Sequence, residues 1–70
     1  MREIIISQEP IELYKILKFE GMVASGGEAK SVVAEGHVRV NGEIETRKRK
    51  KIMAGDVIEF GTETVRVRLK

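Results

Sequence analysis

Five consecutive cations, Arg47-Lys48-Arg49-Lys50-Lys51, carry the strongest chemical signal in this chain. Adjacent positive charges repel one another, and a fold has no structural need for such a run. Phosphate groups would relieve the repulsion and release condensed counterions on binding. A solvated charged loop is the plain alternative for any such run. The 70-residue chain has a net charge of only +2, and taking these five from its 13 Lys and Arg leaves 8 against 11 acidic side chains. Positive charge is therefore concentrated in one segment of an otherwise acidic chain, the pattern of a directed electrostatic footprint.

A second group opens at Ser25-Gly26-Gly27-Glu28. The Ser hydroxyl can accept from the backbone N–H three residues on, and Glu28 can reach back to the N–H of Ser25, so the four residues form a capping box. The N–H groups at Gly26 and Gly27, bare of side chains, could also hold a phosphate. An ordinary cap is at least as good an account, and Glu28 opposes an anion. Lys30 and Arg39 extend the basic surface, and Asn41, at a turn beside them, is counted with this set.

Other chemistry finds no footing. His37 is the lone His and has neither a nucleophile nor further ligands near it in sequence; an exposed residue beside Gly36 is the better reading. There is no Cys, so no disulfide or thiolate metal site. No phosphate-loop, zinc or nucleophile-elbow motif is present. Neither a cofactor nor a metal is expected, and the chain is not expected to be an enzyme. Tyr14, Phe19 and Phe60, the only aromatics, sit in apolar patterns and are expected in the core. Readers of unpaired bases stack them on exposed aromatics, so the expected target is a structured nucleic acid recognised through backbone shape.

The elements that must position these residues follow from periodicity. Pro10 suits a first helical position. Leu13, Ile16 and Leu17 recur at helical spacing before Gly21, which predicts a helix over about residues 10–19. A second helix runs from the Ser25 cap through Ala29, Val32 and Val33 to Gly36. The period then changes to two. Val38 and Val40 alternate with polar neighbours, Asn41-Gly42 is a strong hairpin signal, and Glu43-Ile44-Glu45 begins the return strand. The basic run lacks apolar alternation and reads as an exposed loop or strand end. Ile52 to Asp56 turns into Val57-Ile58-Glu59-Phe60, and Thr64 to Leu69 forms a last strand. Ile4-Ile5-Ile6 is available as an edge strand. The expectation is an α+β fold, two packed helices followed by a small antiparallel sheet, in one domain spanning residues 1–70.

Leu13, Leu17, Gly21, Ser25, Ala29, Gly36, Val38, Val40-Asn41-Gly42 and Gly55-Asp56, in that order and near those spacings, resemble the S-four-type RNA-binding domain, named for a ribosomal small-subunit protein. The core of that family is the αL motif, a helix pair joined to a compact sheet. The resemblance covers almost the entire chain and is nearest the short stand-alone bacterial members. Two positions depart from it. Many members carry Arg near the start of the first helix and after the capping Ser; these positions here are Glu12 and Gly26. Lys30 matches a basic position of the second helix, and the run at residues 47–51 is richer than is usual.

The resemblance implies a non-catalytic, cytoplasmic, bacterial RNA-binding protein acting on structured RNA, ribosomal or tRNA-like, as a monomer. Its expected contacts are Ser25, Gly26, Gly27, Lys30, Arg39, Asn41 and Arg47 to Lys51. The competing readings are an adaptor whose basic loop meets an acidic protein, and a DNA-binding module, since phosphate contacts alone do not separate the two polymers. No apolar run approaches the length of a membrane span, and no membrane partner is expected.

Overall fold

A computed structural model describes residues 1–70. In chain order the elements are β1 (Arg2–Ile6), β2 (Ile11–Glu12), α1 (Leu13–Phe19), α2 (Gly26–Ala34), β3 (Val38–Val40), β4 (Glu43–Ile44), β5 (Lys51–Ile52), β6 (Val57–Phe60) and β7 (Glu63–Leu69). Five strands form one sheet in the order β1-β7-β6-β3-β4, and β2 pairs with β5 in a separate two-stranded ladder.

Strand alternation places Ile4 and Ile6 of β1, Val65 and Val67 of β7, Ile58 of β6, and Val38 and Val40 of β3 on one face of the sheet. Leu13, Ile16 and Leu17 of α1, with Ala29 and Val33 of α2, pack on that face together with Val23 and Ile52. All 14 buried residues are apolar and no polar side chain is buried. Each large side chain removed from water contributes on the order of 1.5–3 kcal/mol, so this single layer of contacts is what a chain of this length has to oppose chain entropy.

The sheet is mixed, where a purely antiparallel one was expected. β1 runs parallel to β7, Arg2 opposite Val65 through Ile6 opposite Leu69. Parallel neighbours need a long crossover between them, and here both helices and the intervening strands supply it. The antiparallel expectation holds for the remaining ladders.

The first helix starts at Leu13, three residues later than Pro10 suggests. Ile11 and Glu12 are extended instead, paired with Ile52 and Lys51. The unpaired N–H groups at the start of α1 then donate outside the helix, Leu13 to the Lys50 carbonyl at 2.9 Å and Tyr14 to the Lys48 carbonyl at 3.1 Å. Tertiary pairing has overridden the local Pro signal.

The second helix follows its cap. Ser25 Oγ accepts from the Glu28 N–H at 3.1 Å, and Glu28 Oε1 accepts from the Ala24 N–H at 2.8 Å, one residue before the expected partner. The Asn41-Gly42 turn has both residues at positive φ, 53° and 86°, as a two-residue hairpin requires.

Candidate nucleic-acid interface

The basic run is a loop between β4 and β5, with Lys51 opening β5. Its backbone is fixed at several points. Lys48 and Lys50 give their carbonyls to α1, and the Lys50 N–H donates to the Arg47 carbonyl at 3.0 Å. The loop is thus docked on the N-terminus of α1 and not a free tail. Arg47, Arg49, Lys50 and Lys51 wall an open concavity of about 420 Å³ with no other residue in its lining.

Its two arginines are each held by a carboxylate. Arg47 donates from Nε and Nη2 to the Glu45 carboxylate at 3.0 and 3.2 Å, and its backbone N–H donates to the same group at 3.0 Å. These hydrogen bonds from Arg47, side chain first and then backbone, hold the Glu45 carboxyl down at a pKa of about 2, with further help from the charges of Arg47 and Lys50. Glu45 in turn raises the pKa of the Arg47 guanidinium. Arg49 Nε lies 3.7 Å from Glu12 Oε2, while Glu12 Oε1 pairs with Lys15 at 3.3 Å. Glu12 therefore ties the loop to the start of α1. Lys48, Lys50 and Lys51 carry no ion pair.

The hairpin stands beside this loop: Asn41, Glu45, Arg47 and Lys50 share a second concavity. Both ends of the Asn41 amide are engaged, Nδ2 donating to Asp56 at 3.0 Å and Oδ1 accepting from the Val57 N–H at 2.9 Å. Asn41 thus clamps the hairpin to the turn before β6. Arg39, exposed on the outer face of the sheet, donates to the Gly42 carbonyl at 3.3 Å.

Ser25, Gly26, Gly27 and Lys30 fall into a different group. Lys30 sits over the Tyr14 ring, 5.0 Å from its centroid, with Lys15 at 6.0 Å. Gly26 lines a concavity with Tyr14, Lys15, Lys18 and Phe19. Lys15 and Lys18 were not among the residues singled out by sequence, although both lie off the Leu13–Ile16–Leu17 stripe. The aromatic expectation fails at one position: Phe19 is 66% exposed, whereas Tyr14 and Phe60 are partly buried against the core. His37 is exposed and pairs with Glu35 at 3.4 Å.

A helix pair docked on a small sheet, with a basic loop fastened to the first helix, defines a small α+β module with one strongly cationic concavity. The S4 domain family model matches residues 4–68, and the chain belongs to that family. It is 49% identical over 57 residues to the Escherichia coli protein named "Putative RNA-binding protein YbcJ", spanning 81% of each chain. It is 41% identical over 55 residues to the Bacillus subtilis "Probable ribosome maturation protein RlbA", covering 79% of this chain and 78% of that one. The solution structure of YbcJ, described as revealing an αL motif involved in RNA-binding, superposes with a TM-score of 0.74 at 43% identity, covering 97% of this chain and 87% of that chain. No helix is long and apolar enough to cross a membrane.

Proposed function

We propose that this chain is a non-catalytic RNA-binding protein that grips the backbone of structured RNA, working as a monomer in the bacterial cytoplasm. The observation that carries the reading is the concavity walled only by Arg47, Arg49, Lys50 and Lys51 on a loop pinned to α1. A pinned loop loses little conformational freedom on binding, so more of the phosphate attraction appears as affinity. The contact set is Arg47 to Lys51 with Lys30, Arg39 and the helix opening at Ser25, Gly26 and Gly27. Asn41 shapes the hairpin that flanks it. The name of the Bacillus subtilis relative supports ribosomal RNA as the class of target.

The test replaces Lys48, Lys50 and Lys51 with Gln together. These are the loop cations without a carboxylate partner. Affinity for a hairpin RNA should fall, and the slope of log affinity against log salt should flatten by roughly 0.7–0.9 per lost phosphate contact, a value borrowed from nucleic acids in general. Unchanged affinity in a folded variant sinks the loop as the RNA site. A DNA hairpin of the same sequence that competes equally well would count against RNA as the polymer.

A further inference from the structure

The outward face of α1 holds a feature that the basic loop does not use. At about 100° per residue, Tyr14, Lys18, Lys15 and Phe19 fall in one continuous arc opposite the buried Leu13–Ile16–Leu17 stripe. Two lysines are thereby flanked by two aromatic rings. The face borders a concavity of about 460 Å³, which Gln8 and Gly26 also line. Phe19 leaves two-thirds of its surface in water, although a ring of that size gains from burial. The Tyr14 ring is partly covered and lies near two ammonium groups.

The concavity and the basic loop are joined. Glu12 lines the concavity and reaches Arg49, and Tyr14 lines it and donates its N–H to the Lys48 carbonyl. The loop and this face are therefore neighbours on the surface. Glu12 is the one anion there, and its two oxygens are already committed to Lys15 and Arg49.

We propose that this concavity seats one unpaired nucleotide of the bound RNA, its base on the Phe19 ring and its phosphate against Lys18, the lysine of this face that no carboxylate pairs. An exposed aromatic beside ammonium groups is the chemistry that holds an unstacked nucleotide. Gln8 places an amide at the rim for the edge of the base. The assignment rests on the RNA-binding reading and adds to it a preference for a bulge or a frayed end over an uninterrupted duplex.

The experiment compares two hairpin RNAs that differ only by one bulged nucleotide. The parent should bind the bulged RNA about tenfold or more tightly, within the range typical of one base stacked on an aromatic. Phe19→Ala and Phe19→Leu should erase that preference and leave affinity for the fully paired hairpin unchanged; Phe19→Tyr should keep it. Equal affinity of the parent for both RNAs overturns the proposal and leaves this face to a protein partner. A preference that survives in Phe19→Ala overturns it as well. Failure of the loop reading has a different signature: the Lys48, Lys50, Lys51 variant would then bind both RNAs as the parent does.

Discussion

The basic loop and the outward face of α1 both present cations to solvent, yet they are built in opposite ways. In the loop the charges are neighbours in sequence, and the fold spends hydrogen bonds and two carboxylates to hold them in place. On α1 the charges lie apart in sequence, come together through helical spacing, and sit beside aromatic rings. The loop is an electrostatic device with its repulsion partly answered from within. The helix face combines weaker charge with surface that water solvates poorly. The first suits a polyanion's backbone, and the second suits something with a flat apolar part.

Both regions depend on α1, so the largest expected effect removes them together. Leu17 is fully buried in the core, and Leu17→Ala should cost about 2–5 kcal/mol, a large share of the roughly 5–15 kcal/mol that folded domains possess. The unfolding midpoint should drop steeply, and binding to bulged and paired RNAs should fail at the same temperature. If one of the two bindings outlasts the other on heating, the two regions do not share this scaffold.

A smaller effect separates paired from unpaired charge within the loop. Arg47→Gln with Arg49→Gln removes two cations whose charge Glu45 and Glu12 already offset. The salt slope should flatten less per residue than in the variant lacking Lys48, Lys50 and Lys51. Equal flattening per residue would mean that the carboxylates let go of both arginines when RNA binds.

The loop was legible in the sequence because contiguity needs no fold. The same holds for the Ser25 cap and the Asn41-Gly42 turn, whose local chemistry the structure reproduces with a one-residue change in the partner of Glu28. What escaped depends on distance along the chain. The parallel pairing of β1 with β7 joins opposite ends of the protein, and the late start of α1 is set by β5 and by carbonyls of the basic loop. Neither leaves a local signature. Phe19 is a different case, because the helical wheel already places it at the margin of the apolar stripe. Membership of an apolar run concealed its exposure. Lys15 and Lys18 were visible by the same construction.

Capping offers a test of intermediate size on the side of the helix face. Ser25→Ala removes the acceptor for the Glu28 N–H and should cost about 0.5–2 kcal/mol. Chemical denaturation should show a lower midpoint with an unchanged slope. A midpoint that does not move argues against the cap as a source of stability. Gly26→Arg restores the residue that family members often carry there. A β-carbon at Gly26 meets only Lys18 Cδ, at 4.0 Å, an ordinary contact. Helix propensity gained and positive charge placed at a helix N-terminus should largely cancel in stability. Affinity for paired hairpin RNA should rise several-fold at low salt, and a fall would mean that the glycine leaves room the ligand needs.

The smallest expected effect is a titration, and it distinguishes the loop from the helix face most directly. Glu45 accepts three hydrogen bonds from Arg47, which favour the ionised carboxylate and bring its pKa down to about 2. A carboxyl lowered on folding stabilises the native state above its unfolded value, near the ordinary 4.5. That contribution disappears as pH falls from there through about 2, because the unfolded chain takes up the proton first. The partner is largely exposed, so solvent screening keeps the gain in stability small, and the carboxyl resonance of Glu45 is a better readout than the unfolding midpoint. Followed by NMR, it should titrate near pH 2 in the parent and move up toward the ordinary range in Arg47→Gln, without reaching it while the backbone N–H of residue 47 and the charge of Lys50 remain. Salt should shift it little, since the largest cause is a set of direct hydrogen bonds and not a distant field. An ordinary value in the parent would show that Arg47 is as free as the lysines beside it, and the contrast between a braced loop and an open helix face would lose its foundation.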